Sequence, residues 1–336
     1  MRFLGLPLLL SLLWTCQSTQ QQDLSSTPYV PTPHELAIPP DFFQMTIPPD
    51  NPLTEEGIAL GRRLFYDPIL SIDSTLSCSS CHDPQLSFTD GQATSKGFGG
   101  QNGRRSAMSL LNVGFYDTGL FWDGRVATLE EQALLPVEDA VELHETWPNV
   151  EAKLRRHEHY PQLFRQAFGI QNKGQISREL AVKAIAQFER TLMSSGQSRY
   201  DRFRRGELEP TEDERMGYDL FFDISPEVKD ADCGNCHNAP LFTTNEYENN
   251  GLEMAADLAS FSDAGRGAVV KNSYQNGKFR IPSLRNIELT APYMHDGRFK
   301  TLEEVIAHYN HGGHPSPNVN SLVRPLGLTE KEQTQL

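Results

Sequence analysis

The sequence predicts a mainly α-helical protein built from two similar domains with long irregular loops. Three observations predict it. Capping boxes at Thr128, Thr211, Thr301 and Thr329 each open a helical segment. One pentapeptide pattern, Cys-x-x-Cys-His, occurs twice, at Cys78–His82 and at Cys233–His237. The residues around the two pentapeptides can be laid over one another, so the chain reads as one unit written twice.

The pentapeptides name the cofactor. Two cysteines at this spacing can hold the edge of a porphyrin through thioethers while the next residue presents an imidazole to the iron. Cys78, Cys81 and His82 would hold one haem c, and Cys233, Cys236 and His237 a second. A zinc site made from the two Cys-x-x-Cys pairs leaves both histidines unexplained. A disulfide framework does not suit a chain of 336 residues. The fold class is therefore two cytochrome c-like haem domains related by an internal repeat.

Lys and Arg number 30 against 44 Asp and Glu, a net charge of −14. That balance argues against nucleic-acid binding, which needs a basic stripe. It would suit a small basic electron donor, although it also serves solubility.

In chain order, residues 1–16 read as an export signal, with Arg2 followed by an apolar run too short to span a bilayer. Leu13-Trp14-Thr15-Cys16 resembles a lipoprotein processing site, so a lipid on Cys16 is the one membrane attachment the sequence offers. Export places the protein in the periplasm or cell envelope, where haem c is attached. Residues 17–53, rich in Ser, Thr, Gln and Pro, read as a flexible tether. Residues 54–195 form the N-terminal domain. Its helices are predicted over 54–66, from Thr128, over 148–168 and over 177–194, with Ile176, Leu180, Ile185, Phe188 and Leu192 as core. Residues 89–105 form a glycine-rich loop over the first haem. Residues 196–210 read as a hinge. Residues 211–336 form the C-terminal domain, with helices from Thr211, Thr301 and Thr329 and a loop over 244–279. The last helix stops at Leu336 after about two turns, which predicts that this domain continues beyond the given sequence.

The repeat has matching landmarks. Gly61-x-x-Leu64-Phe65-Tyr66-Asp67 answers Gly217-x-x-Leu220-Phe221-Phe222-Asp223. Ser109-Leu110-x-Asn112 answers Ser283-Leu284-x-Asn286. Asp123-Gly124-Arg125-x-x-Thr128 answers Asp296-Gly297-Arg298-x-x-Thr301. Eight residues beyond each threonine stand Pro136 in the first half and Tyr309 in the second. A proline offers no ligand atom, and no histidine lies between His82 and His144. The first iron is thus expected to be open on its far side and the second closed. An open haem does chemistry, and a closed one carries electrons.

With these motifs in hand, the sequence resembles the bacterial di-haem cytochrome c peroxidase and MauG family. The match runs over about residues 50–330. It is carried by both pentapeptides, Phe121–Arg125, Val141-Glu142-Leu143, Pro282–Asn286 and Ala291–Gly297. The resemblance implies a peroxidatic N-terminal haem and an electron-accepting C-terminal haem. It implies that Glu142 is the distal acid-base residue, that Gln132 and Pro136 line the same pocket, and that Trp122, matched by His295 in the other half, bridges the haems. It also implies one calcium ion between the domains, held by the carbonyls of Thr290 and Pro292 and by a side chain that here is Ser106. A hydroxyl is a poorer ligand there than an amide oxygen.

Two departures stand out. Many of the peroxidases carry a distal histidine in the glycine-rich loop, where this chain has Phe98, so the first haem is expected to be five-coordinate or water-bound when fully oxidised. Most have Met at the second distal position, where MauG has Tyr and this chain has Tyr309. Met294, His308, His311 and His314 are competing ligands nearby. Met294 is set aside because the family commonly carries an aromatic there, and His308 and His311 because they lie on other faces of the helix from Tyr309.

The function expected is reduction of hydrogen peroxide with electrons from a small cytochrome c or cupredoxin. The alternatives are a MauG-like oxidase that modifies a partner protein and a non-catalytic di-haem electron carrier.

Overall fold

This computed structural model describes residues 23–336. The export segment and Cys16 lie outside the described residues. The first half holds α1 (Glu55–Tyr66), α2 (Leu129–Glu138), α3 (Trp147–Arg156), α4 (Tyr160–Phe168) and α5 (Arg178–Arg190). Thr54 caps α1, its hydroxyl accepting from the Gly57 N–H at 3.0 Å. Leu60 and Leu64 of α1 are buried in one cluster with Ala181, Val182, Ala184 and Ile185 of α5. Each such leucine contributes about 1.5–3 kcal/mol. Gly61 makes the crossing possible, because a Cβ there would run into the Ala184 carbonyl.

The helix predicted over 148–168 is two helices, α3 and α4, broken at 157–159. Pro161 explains the break. It has no N–H for the carbonyl four residues back, and its ring crowds that carbonyl, so it sits in the first turn of a new helix.

The tether expected over 17–53 is not free where it is described. It has no helix, as its composition predicts, but it wraps the N-terminal domain. Leu24 is fully buried in the α1–α5 core, and Phe42, Met45 and Leu53 are buried as well. Apolar side chains spaced along a polar stretch are enough to anchor it.

The expected hinge also carries structure. Ser198 caps α6 (Arg199–Arg204) with a capping box. Asp201 of α6 receives two hydrogen bonds from the Arg285 guanidinium, at 2.7 and 3.1 Å, with both side chains buried. A bidentate pair of this kind fixes direction as well as distance. It ties residues 196–210 to the C-terminal half.

That half holds α7 (Glu212–Phe222), α8 (Cys233–Cys236), α9 (Arg266–Val270), α10 (Leu302–His311) and α11 (Glu330–Gln335). The loop expected over 244–279 contains α9 and most of a short antiparallel pair, β1 (Tyr247–Glu248) with β2 (Phe279–Arg280). Elements this short leave no period to read. A Cβ on Gly217 of α7 would strike the Gln335 carbonyl of α11, as one on Gly61 would strike α5.

Further matched positions share backbone geometry. Phe88 and Phe242 are left-handed (φ 61° and 56°), as are Asn112 and Asn286 (φ 65° and 58°) and Phe121 and Met294 (φ 65° and 75°). The Ser109 hydroxyl donates to the Ser87 carbonyl at 2.5 Å, and that of Ser283 to Leu241 at 2.5 Å.

Candidate haem sites

Both Cys-x-x-Cys-His motifs lie on single short helical turns, Cys78–Ser80 and α8. Burial pushes the Cys78 and Cys233 thiols up to about 12 and Cys81 to about 11, and raises Cys236 as well. The four are unpaired by disulfides.

The histidines are held from behind. His82 Nδ1 lies 2.9 Å from the Phe88 carbonyl, and His237 Nδ1 lies 3.1 Å from the carbonyls of Phe242 and of Pro282. A carbonyl can only accept, so Nδ1 carries the proton in each ring and the Nε2 lone pair is left for a metal. Burial lowers both imidazole pKa values, against the raising effect of those carbonyls, and keeps the rings neutral. The left-handed phenylalanines at 88 and 242 aim the carbonyls.

Glu142 lies on the turn after α2. It lies near enough to the first motif for its charge to act on both Cys78 and Cys81. By surface area it is exposed, yet protein atoms ring its carboxyl closely, as expected of a group that opens onto a cleft. The enclosure governs ionisation. Burial pushes its pKa up, the Asp139 charge adds to this, and Arg125 opposes it. Gln132 and Pro136 stand one turn apart on α2, both half-buried. The Phe98 ring stacks on His144, with centroids 4.7 Å apart and planes 13° apart.

The second motif borders a cavity of about 800 Å³, lined among others by Cys233, His237, Trp122, Met294 and Tyr309. Leu302, Val305, Ile306 and Tyr309 of α10 turn toward it, and these four are only half-buried. An apolar stripe facing a cavity is what a flat hydrophobic macrocycle requires, so these residues fit haem. Burial pushes the Tyr309 hydroxyl up to about 12, with the Asn250 hydrogen bond opposing and the charges of Cys233 and Cys236 adding.

Trp122 sits where the halves meet. Its indole N–H donates to the Ser106 carbonyl at 2.9 Å, and its own carbonyl accepts from the Arg280 N–H at 2.8 Å. The Ser106 N–H donates to the His295 carbonyl at 2.8 Å, and its hydroxyl to the Met294 carbonyl at 2.9 Å.

That last bond bears on calcium. Calcium takes six to eight oxygens, commonly including carboxylates. The carbonyls of Thr290 and Pro292 accept no backbone hydrogen bond. The Ser106 hydroxyl donates its hydrogen to Met294 and keeps its oxygen lone pairs, but among the described residues no group of three or more His, Cys, Asp or Glu is placed to hold a metal, so the chain offers three neutral oxygens. The donor set fits calcium poorly, and no step below runs through it.

Three residues escaped the sequence reading. Asn250 touches Tyr309 and Met294 at once. Glu189 is a buried acid within reach of Cys78. Arg280 is a buried guanidinium at the seam. Asn250 lies in a polar loop without period. Glu189 gave only the weak signal of a charge beside core positions of α5.

Two cysteine-histidine motifs with aimed imidazoles, a carboxylate near one and a tyrosine lining the cavity beside the other, define a haem c oxidoreductase. The chain belongs to the di-haem cytochrome c peroxidase and MauG family, and its cofactors are two haem c groups. Residues 55–209 match the family described as di-haem cytochrome c peroxidase. The chain is 33% identical to the cytochrome-c peroxidase IdrP1 of Denitromonas iodatirespirans, covering 100% of this chain and 91% of that protein. It is 35% identical to the methylamine utilization protein MauG of Methylorubrum extorquens, covering 86% and 78%. Among solved structures, a MauG-like protein associated with microbial copper homeostasis superposes with a TM-score of 0.81 at 34% identity, over 90% of this chain and 93% of that one. The chain is a peroxidase-type oxidoreductase.

Proposed function

We propose that this protein reduces hydrogen peroxide to water at the first haem, with electrons from a small donor, a cytochrome c or a cupredoxin, entering through the second. The observation that carries the division of labour is the contrast at matched positions of α2 and α10: Pro136 in one, Tyr309 in the other. Bound haem c supplies at each site an iron that changes oxidation state. Everything else falls to the chain. His82 and His237 present Nε2. Pro136 leaves the first site open, and Tyr309 closes the second. Peroxide must shed a proton from one oxygen and receive one on the other as the O–O bond parts. Glu142, with its pKa raised toward neutrality, can carry that proton. Gln132 lines the approach, and Trp122, wedged between the halves, lies on the electron path.

The matched glycine crossings, left-handed residues and serine–carbonyl bonds support two copies of one haem-binding unit. Residues 1–16 support export to the periplasm, with Cys16 as a lipid attachment point. Calcium at Ser106, Thr290 and Pro292 would be held mainly through water and has no role in the steps above.

A second function, a peroxide-dependent oxidase acting on a partner protein, is favoured by Tyr309 and by Phe98 in place of a distal histidine. Turnover with peroxide and reduced cytochrome c, in wild type and in Glu142→Gln, separates the two and tests both against a non-catalytic carrier. A peroxidase oxidises the donor rapidly, and the variant loses on the order of a hundredfold or more. A partner oxidase oxidises it slowly, and a carrier shows no peroxide-dependent turnover.

A further inference from the structure

Four side chains near the second haem site carry atoms that could bind iron beside Tyr309: Met294, His308, His311 and His314. Two of these and Tyr309 itself meet at one residue. The Asn250 side-chain amide donates to the Tyr309 hydroxyl oxygen at 3.1 Å and to the Met294 sulfur at 3.4 Å. The Asn250 carbonyl lies 3.0 Å from His308 Nε2. Because a carbonyl can only accept, Nε2 carries the proton there and has no lone pair to offer.

The three contacts differ in consequence. A hydrogen bond donated to a phenolic oxygen favours its charged form, the form that binds ferric iron. A hydrogen bond donated to a thioether occupies a sulfur lone pair that would otherwise be free. Protonation at Nε2 disarms that nitrogen of the imidazole. One residue thus favours the first ligand and restrains two rivals.

Asn250 is held to the task by its neighbours. The Asn249 amide donates to Asn318 and Ser316, both at 2.8 Å, and the Gly251 carbonyl accepts from the His314 N–H at 2.7 Å. The segment follows directly on β1, so its position is set by the pairing of β1 with β2. Met294 in turn sits on a left-handed turn whose counterpart in the first half, Phe121, has no ligand atom.

We propose that Asn250 selects the axial ligand of the second haem, holding Tyr309 toward the iron while keeping the Met294 sulfur and His308 Nε2 off it. This rests on Tyr309 being that ligand. Asn250 is a positioning residue, and it acts through Tyr309 and Met294.

The test uses the full di-haem protein and reads the second haem directly, by electron paramagnetic resonance, by the near-infrared charge-transfer band of the diferric form and by its midpoint potential. Asn250→Leu keeps the shape and removes both donors. It should convert the second haem from tyrosinate to thioether ligation and raise its potential, since Met ligation favours the reduced iron. Asn250→Leu with Met294→Leu should show no thioether signal. A spectrum and potential unchanged in Asn250→Leu overturn the proposal. So does loss of the tyrosinate signal with no thioether signal gained, because Met294 is then no competitor. Should Asn250→Leu fail to take up haem, Met294→Leu alone remains decisive: it should leave the spectrum as in wild type, and a change means that the sulfur already sits on the iron. Tyr309→Phe reports separately on the ligand itself. An unchanged spectrum there refutes the ligand, whatever Asn250 does.

Discussion

The backbone N–H of Phe98 donates to the carbonyl of Glu142 at 2.9 Å and to that of Val141 at 3.0 Å. The glycine-rich loop and the segment that carries Glu142 therefore form one unit. A loop that in many relatives delivers a histidine here braces the carboxylate segment.

Gly97 permits that contact, since a Cβ at this position would overlap the Val141 carbonyl. Gly97→Ala should displace Glu142 without touching either haem attachment. Peroxide turnover should fall on the order of tenfold to a hundredfold, the usual consequence of misplacing a catalytic group by about 1 Å. Haem content by pyridine haemochrome should stay at two per chain. Turnover at the wild-type rate would show that the brace is unimportant.

Glu189 makes stability depend on pH. It is 4% exposed, one carboxyl oxygen has no hydrogen-bond partner, and burial lifts its pKa to about 8 from 4.5. The neighbouring Arg190 does not rescue it, being spent on Glu130 at 2.8 and 3.0 Å. Below the ordinary carboxylate value the group is protonated in both folded and unfolded chains and costs nothing. Between there and about 8 only the unfolded chain ionises, so stability falls as pH rises. Each tenfold difference in proton affinity between the two states is worth about 1.4 kcal/mol, so the loss is on the order of 5 kcal/mol. Glu189→Gln should be more stable than wild type at pH 8 and should flatten this slope, as read from denaturant midpoints at a series of pH values.

Ser106 governs calcium. With only neutral oxygens from the chain and no carboxylate at hand, chelation should leave both haem spectra and the turnover of the wild type unchanged. Ser106→Asn supplies an amide oxygen, and calcium should then bind measurably by calorimetry. Loss of activity on chelating the wild type would contradict this.

Gly61 holds the tightest helix crossing of the first half. Gly61→Ala must part α1 from α5, at a cost of about 1–3 kcal/mol or more. Thermal unfolding would register it. Gly217→Ala should do the same to α7 and α11.

The haem attachments were legible because thioether chemistry imposes a spacing that a sequence displays. The capped helices were legible for a similar reason, since Thr128, Thr211, Thr301 and Thr329 each satisfy a backbone N–H with a side chain that can be read. The rest depended on contacts made at long range. Nothing in residues 23–53 announces that Leu24 ends in the core against α5. The partners of His82 and His237 are backbone carbonyls, which have no letter in the sequence. The break between α3 and α4 was readable from Pro161 but was masked by apolar periodicity on either side. Asn250 gathers ligands from two distant segments, and only the folded chain brings them together.

Arg280 leaves one more consequence. It is 2% exposed, bonded to the carbonyls of Gly119, Phe121 and Asn245 and to the Tyr247 hydroxyl, and no carboxylate among the described residues lies within ion-pairing distance. Guanidinium holds its proton throughout the physiological range. The boundary between the two halves thus carries a permanent positive charge without an ion-pair partner, only partly offset by Asp117, in a molecule whose overall charge is −14. On the electron path proposed above, a crossing electron would meet local attraction inside a repelling envelope, and no physiological change in acidity would switch that attraction off.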